Sequence, residues 1–135
     1  MRELKLYFCL LPIFLVVDLA WVGWLMKDFY SDQFGDLARR SGGSLAPRWG
    51  AAIAAYLIIP LGIVLFVHHR AMGQELGVYL LWGAIYGAIL YGVYDLTNRA
   101  VLDKFSLTMT LVDLGWGTFI CMAMSGVLYF LNKLF

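Results

Sequence analysis

The sequence predicts an all-α integral membrane protein: a four-helix bundle with a short interfacial helix after the first span. Three observations carry this. Hydrophobic residues make up 62% of the chain and charged residues only 14%, against about half and a quarter in soluble domains. The apolar residues gather in four runs, each close to the length, about 20 residues, that crosses a hydrocarbon core. None of the runs alternates polar and apolar residues as barrel strands do. At 135 residues the chain allows one domain, 1–135. So small a chain cannot hide so much apolar surface from water, and its expected partner is the lipid bilayer.

The first run covers about 4–26, interrupted only by Lys5 and Asp18. "MRELK" resembles the basic end of a secretory leader. The apolar stretch that follows is long and is not closed by a small-x-small site, so an uncleaved span is expected. The second run covers about 49–67. Pro47 precedes it, where a missing N–H costs little. Pro60 within it implies a kink, tolerable where neighbouring helices satisfy the freed carbonyl. The third and fourth runs cover about 76–96 and 107–131.

In the longest connection, Tyr30, Phe34 and Leu37 recur at i, i+4 and i+7 against Asp32, Asp36, Arg39 and Arg40. That pattern predicts an interfacial amphipathic helix within about 28–40, from which "SGGS" at 41–44 releases the chain. The other two connections are short, so consecutive helices are antiparallel neighbours.

The formal net charge of +1 offers no basic footprint for nucleic acid. Cys9 and Cys121 lie in apolar runs without CxxC or ligand spacing and read as small buried hydrophobes. His68 and His69 have no spaced third ligand, so they read as interfacial residues, and neither a metal nor a cofactor is expected. Phosphate-binding loops, nucleophile elbows and zinc-protease motifs are absent. Gly83 and Gly87, and the alanines Ala51, Ala52 and Ala55, read as close-packing surfaces. Trp24, Trp49 and Trp82 read as an aromatic belt.

Functional interest lies in the polar residues. The end of the first span, the start of the second, the end of the third and the start of the fourth share one membrane face. Asp18 lies about 12 Å and Asp113 about 9 Å from that face, at 1.5 Å per residue; Asp95 is shallower. Three acids from three helices therefore meet in one leaflet, although insertion costs each about 2.5–3.5 kcal/mol. Tyr91, Tyr94, Asp95 and Asn98 stand at i, i+3, i+4 and i+7, one face of a helix. "VVDLAWVGW" (16–24) echoes "LVDLGWGTF" (111–119): in both, Asp precedes Trp by three residues, as if two helices supplied equivalent parts of one centre. Tyr56, Thr97 and Thr110 are further donors at this level, and Arg99, then Arg48, the nearest cations. Three acids against so few cations imply that at least one holds a proton near neutral pH. The alternative is a structural network that only binds the helices together.

"DLAW" at 18–21 with Gly23, "FYSDQFG" at 29–35, "YGVYDLTN" at 91–98 and "TLVDLGWG" at 110–117 resemble domain-of-unknown-function family 2177, small four-helix inner-membrane proteins of bacteria with a YDLTN motif. The resemblance extends over nearly the whole chain. It implies bacterial origin and multi-pass residence in the inner (plasma) membrane, and implies no activity. It also implies a more cationic loop two, hence a cytoplasmic N-terminus, than "HHRAMGQE" provides. The count of Lys and Arg leans the other way: six in loops one and three, four at the termini and loop two. Charge therefore does not fix the orientation.

The leading functional expectation is an intramembrane acidic cavity that binds or moves a small or lipophilic molecule with proton coupling. Asp18, Asp95 and Asp113 would carry or exchange the proton or hold a cationic group, Trp21, Trp116 and Tyr94 would wall the cavity, Asn98 would orient Asp95, and Tyr91, Thr110 and Arg99 complete the set. Four helices are few for a transporter, so this reading expects a homodimer. Two alternatives stand beside it. One is a membrane enzyme acting on a lipid or isoprenoid-like substrate, with one Asp as general acid and another as base. The other is an accessory subunit of a larger membrane complex.

Overall fold

The computed structural model describes residues 1–135. Four helices are long and apolar enough to cross a membrane: α1 (Arg2–Leu25), α3 (Trp49–Ala71), α4 (Leu76–Val101) and α5 (Leu107–Leu134). The short α2 (Lys27–Phe34) follows α1. It is shorter than the sequence pattern suggests, because Gly35 takes φ 51° and ends it, a conformation that glycine adopts without a Cβ penalty. A single 3₁₀ turn, Gly35–Leu37, continues from it.

The chain then makes a two-residue hairpin that the helical pattern hides: β1 (Arg40–Ser41) pairs antiparallel with β2 (Ser44–Leu45). Gly42 and Gly43, both at positive φ, form its turn, as tight hairpins require. Arg40 ties the hairpin back to α2 by donating to the Ser31 and Gly35 carbonyls.

The spans run up-down-up-down, and each of α1, α4 and α5 buries one stripe at four-residue spacing. In α1 the stripe is Leu6, Leu10, Phe14 and Asp18; in α4 it is Tyr79, Gly83, Gly87 and, past half-buried Tyr91, Asp95; in α5 it is Met109, Asp113, Gly117, Cys121 and Ser125. Side chains four apart stack on one helical face. The lower parts of the stripes join Ile63, Val64, Val67 and Ala71 of α3 in a dry core. A smaller apolar cluster of Tyr30, Phe105 and Met109 closes the other end. The large side chains that remain exposed, among them Phe8, Ile53, Leu81, Leu111 and Phe130, face what a bilayer would cover.

Glycines set the approach of α4 to α5. A Cβ on Gly83 would run into Ser125 and the Cys121 carbonyl, one on Gly87 into the Gly117 carbonyl, and one on Gly117 into the Tyr91 ring. Small-residue contacts of this kind let helix backbones meet where lipid supplies no hydrophobic drive. The alanine stripe of α3 is different: Ala51 and Ala55 are exposed and only Ala52 is half-buried. Pro60 lies within the helical run of α3, and wide π-type turns follow at Ile63–Val67. Nearby carbonyls gain outside donors, Leu57 from the Tyr7 hydroxyl at 3.0 Å and Ile59 from the Tyr86 hydroxyl at 3.2 Å.

The glycine contacts generate a paired expectation. Gly87→Val lowers the unfolding free energy in detergent by about 1–3 kcal/mol, the ordinary cost of overpacking. Gly92→Ala changes it little, because the nearest atom to the added methyl is 3.6 Å away. Thermal unfolding of both variants followed by circular dichroism checks this.

Candidate functional site

The three stripes bring their acids to one end of the bundle. Asp18, Asp95 and Asp113 are all buried, Asp95 completely. Because α1 and α5 are antiparallel, the two D-x-x-W elements meet head to tail, and each tryptophan faces the other helix's acid. Trp116 Nε1 donates to Asp18 Oδ1 at 2.8 Å. Trp21 Nε1 donates to the Tyr30 hydroxyl at 3.1 Å, and that hydroxyl donates to Asp113 Oδ1 at 2.9 Å. The two indoles stack, ring centres 4.3 Å apart and nearly parallel. A wide turn at Trp21–Leu25 in α1, closed by a bond from Met26 N to the Trp21 carbonyl, lies immediately beyond Asp18. Such turns recur at functional sites.

Tyr30 is the site residue that the sequence pattern assigned to a different role. Its spacing with Phe34 marks the apolar face of an interfacial helix, and that face points into the bundle rather than into lipid. Tyr30 is 3% exposed and contacts Phe29 and Phe34 edgewise or tilted. Burial, and then the negative charge of Asp113, push its hydroxyl well above its ordinary range, so it remains a donor. α2 is held down over the site by contacts between loops one and three. Ser106 bonds Gln33, Phe34 meets the Phe105 ring, and Lys104 pairs with Asp36 at 3.0 Å. The hydrogen bond and charge of Lys104 hold Asp36 below the usual carboxylate range. The pair is exposed, so the apolar contacts dominate the anchoring.

Asp95 is held differently. Neither of its oxygens has a hydrogen-bond donor, and the charged group beside it is the Asp113 carboxyl. Arg99 does not reach the acids: α4 continues to Val101, and the guanidinium donates to the Phe105 carbonyl at 2.8 Å. Tyr94 is 52% exposed because it precedes Asp95 by one residue, about 100° around the helix, and so it lies off the buried face. Tyr91 shares the Asp95 face and lies over Gly117. Thr110 is buried but spends its hydroxyl on the Ser106 carbonyl. Asn98 is half-buried at the end of the stripe and does not orient Asp95 as expected, because neither Asp95 oxygen meets a donor. Of the residues singled out in sequence, Asp18, Asp95, Asp113, Trp21, Trp116 and Tyr91 come together. Tyr94, Thr110 and Arg99 turn elsewhere.

A groove of about 330 Å³ opens beside this centre, lined by Trp21, Val112, Gly115, Trp116 and Phe119. Trp116 belongs to both features: its ring lines the groove and its N–H holds Asp18.

Fold and site together define a polytopic four-helix membrane protein with an intramembrane acidic cluster. The chain belongs to the family described as "Predicted membrane protein (DUF2177)", whose model matches residues 3–130. No curated protein and no solved structure matches it.

Tyr30→Phe removes the donor from Asp113 and costs about 1–3 kcal/mol of stability, the penalty of an unmet buried acceptor. In the double variant with Asp113→Asn the two losses add to less than their sum, as a four-membered unfolding cycle in detergent reads directly.

Proposed function

We propose that this chain is a bacterial inner-membrane protein whose acidic centre binds a small lipophilic molecule and exchanges a proton with it. The observation that carries the reading is Asp95, fully buried with two oxygens that meet no donor. Burying an ionised carboxylate without a partner is costly, and such a group neutralises instead. Two facing carboxyl groups satisfy one another when they share one proton: the protonated group donates and the ionised group accepts. Asp95 and Asp113 form that one-proton pair, and Tyr30 steadies the ionised member from its other side. A structural network would match every acid to a donor. Asp18 and Asp113 fit that description and Asp95 does not.

The tryptophan-walled groove supplies the way in. A lipophilic body fits its apolar lining, and a polar end that displaces the Trp116 N–H meets Asp18. Release of that N–H disturbs the indole stack and, through Trp21 and Tyr30, the Asp113 end of the pair. Binding and protonation are thereby linked by side chains in contact. Carriage of the ligand across the whole membrane takes two copies of so small a bundle.

Infrared spectra of the reconstituted protein test the proton. At neutral pH the wild type shows the carbonyl stretch of one protonated carboxyl. Asp95→Asn or Asp113→Asn removes or shifts that band, and Asp18→Asn leaves it in place, each in variants that stay monodisperse in detergent. Three ionised carboxylates at neutral pH in the folded wild type would overturn the reading.

A further inference from the structure

The opposite end of the bundle has a different chemistry. The terminal segments and loop two carry Arg2, Lys5, Arg70 and Lys133 against only Glu3 and Glu75, and all seven aspartates lie elsewhere. Between the start of α4 and the end of α5 is a pocket of about 240 Å³ lined by Gly73, Gln74, Tyr79, Tyr129, Asn132 and Lys133. Five of these six residues carry a hydrogen-bonding side chain, unlike the apolar groove at the other end. Lys133 Nζ lies 4.3 Å over the Tyr129 ring at its rim. The Arg2 guanidinium is held beside it by a hydrogen bond to the Asn132 carbonyl. The Tyr79 hydroxyl in the lining is backed by buried His68, whose Nδ1 is 2.9 Å away. Asn132 Oδ1 is buried and has no partner.

We infer that this pocket binds the headgroup of an anionic phospholipid that carries hydroxyl groups, of the phosphatidylglycerol class. Lys133 and Arg2 match a phosphodiester, for which charge-assisted contacts are about twice as strong as neutral ones. Asn132 Oδ1 calls for a ligand that also donates, as a glycerol hydroxyl does. The position is right as well: the ends of membrane helices lie at headgroup depth, where basic pockets between helices recognise lipid phosphates. The net positive balance of this end favours an anionic over a zwitterionic headgroup. The site is separate from the acidic centre, and its test leaves the aspartates untouched.

The full chain in detergent is titrated with phosphatidylglycerol, with phosphatidylcholine of the same acyl chains, and with inorganic phosphate. Lipid retention is followed by native mass spectrometry and by the rise in Tm. Phosphatidylglycerol is expected to bind and to stabilise, phosphatidylcholine to bind at least about tenfold more weakly, and Lys133→Gln and Asn132→Leu each to cost about tenfold in phosphatidylglycerol affinity. Lys104→Gln, at the other membrane face, is expected to cost nothing. Equal binding of the two lipids, or an equal loss in Lys104→Gln, would reveal a general lipid annulus and overturn the proposal. Inorganic phosphate binding as tightly as the lipid would make this a free-phosphate site and overturn it too. Unchanged affinity in the folded Lys133→Gln variant would sink it outright.

Discussion

Three carboxyl groups have to be buried in this bundle without a cation, and the rest of the structure is arranged around that demand. Each acid belongs to a stripe at four-residue spacing: Asp18 and Asp95 end theirs, and Asp113 lies one turn inside Met109. The rotation that hides Leu6, Leu10 and Phe14 is therefore the rotation that hides Asp18. The same holds for Asp95 at the end of the α4 glycine face and for Asp113 along the α5 face. No helix can turn its acid outward without also exposing the stripe that packs it. Burial of the acids is thus enforced by apolar packing; Asp18 and Asp113 are met by N–H and O–H donors rather than by salt bridges, and Asp95 meets no donor.

Those donors come from a reciprocal arrangement. Antiparallel helices carrying the same D-x-x-W element bring each tryptophan toward the other helix's aspartate, and the two indoles stack between α1 and α5. The reciprocity is incomplete. Asp18 receives its indole directly, whereas Asp113 receives its donor through Tyr30, a residue of α2. One acid is served by the bundle alone and the other depends on a short element docked from outside it. Because α2 is anchored to loop three through Gln33, Phe34 and Asp36, the connection between α4 and α5 takes part in holding that donor.

Much of this was legible in the chain. Run lengths indicate the four helices, and relative depth along antiparallel spans places the three acids in one leaflet. The D-x-x-W echo points to a shared centre before any geometry is known. Other features depend on facts that spacing does not contain. A helix that lies against the bundle shows the same periodicity as one lying on lipid, so Tyr30 was indistinguishable from a membrane-facing aromatic. Tyr94 falls within a four-residue polar face, yet a face spanning i to i+7 is wide enough for one edge to remain outside. Arg99 was closest to the acids in sequence, but a helix that runs one turn further carries it past them to a loop carbonyl. Alanines in α3 carry no mark of whether another helix covers them; in this chain Ala51 and Ala55 are exposed.

The division of the bundle into unlike halves has a consequence for its motions. At the end near the termini, glycine contacts and the apolar core interlock α4 and α5 with α1 and α3. At the other end the helices are joined by a handful of polar contacts, a stacked ring pair and a docked eight-residue helix. Local opening follows contact density and burial, which makes the acidic end the easier of the two to open.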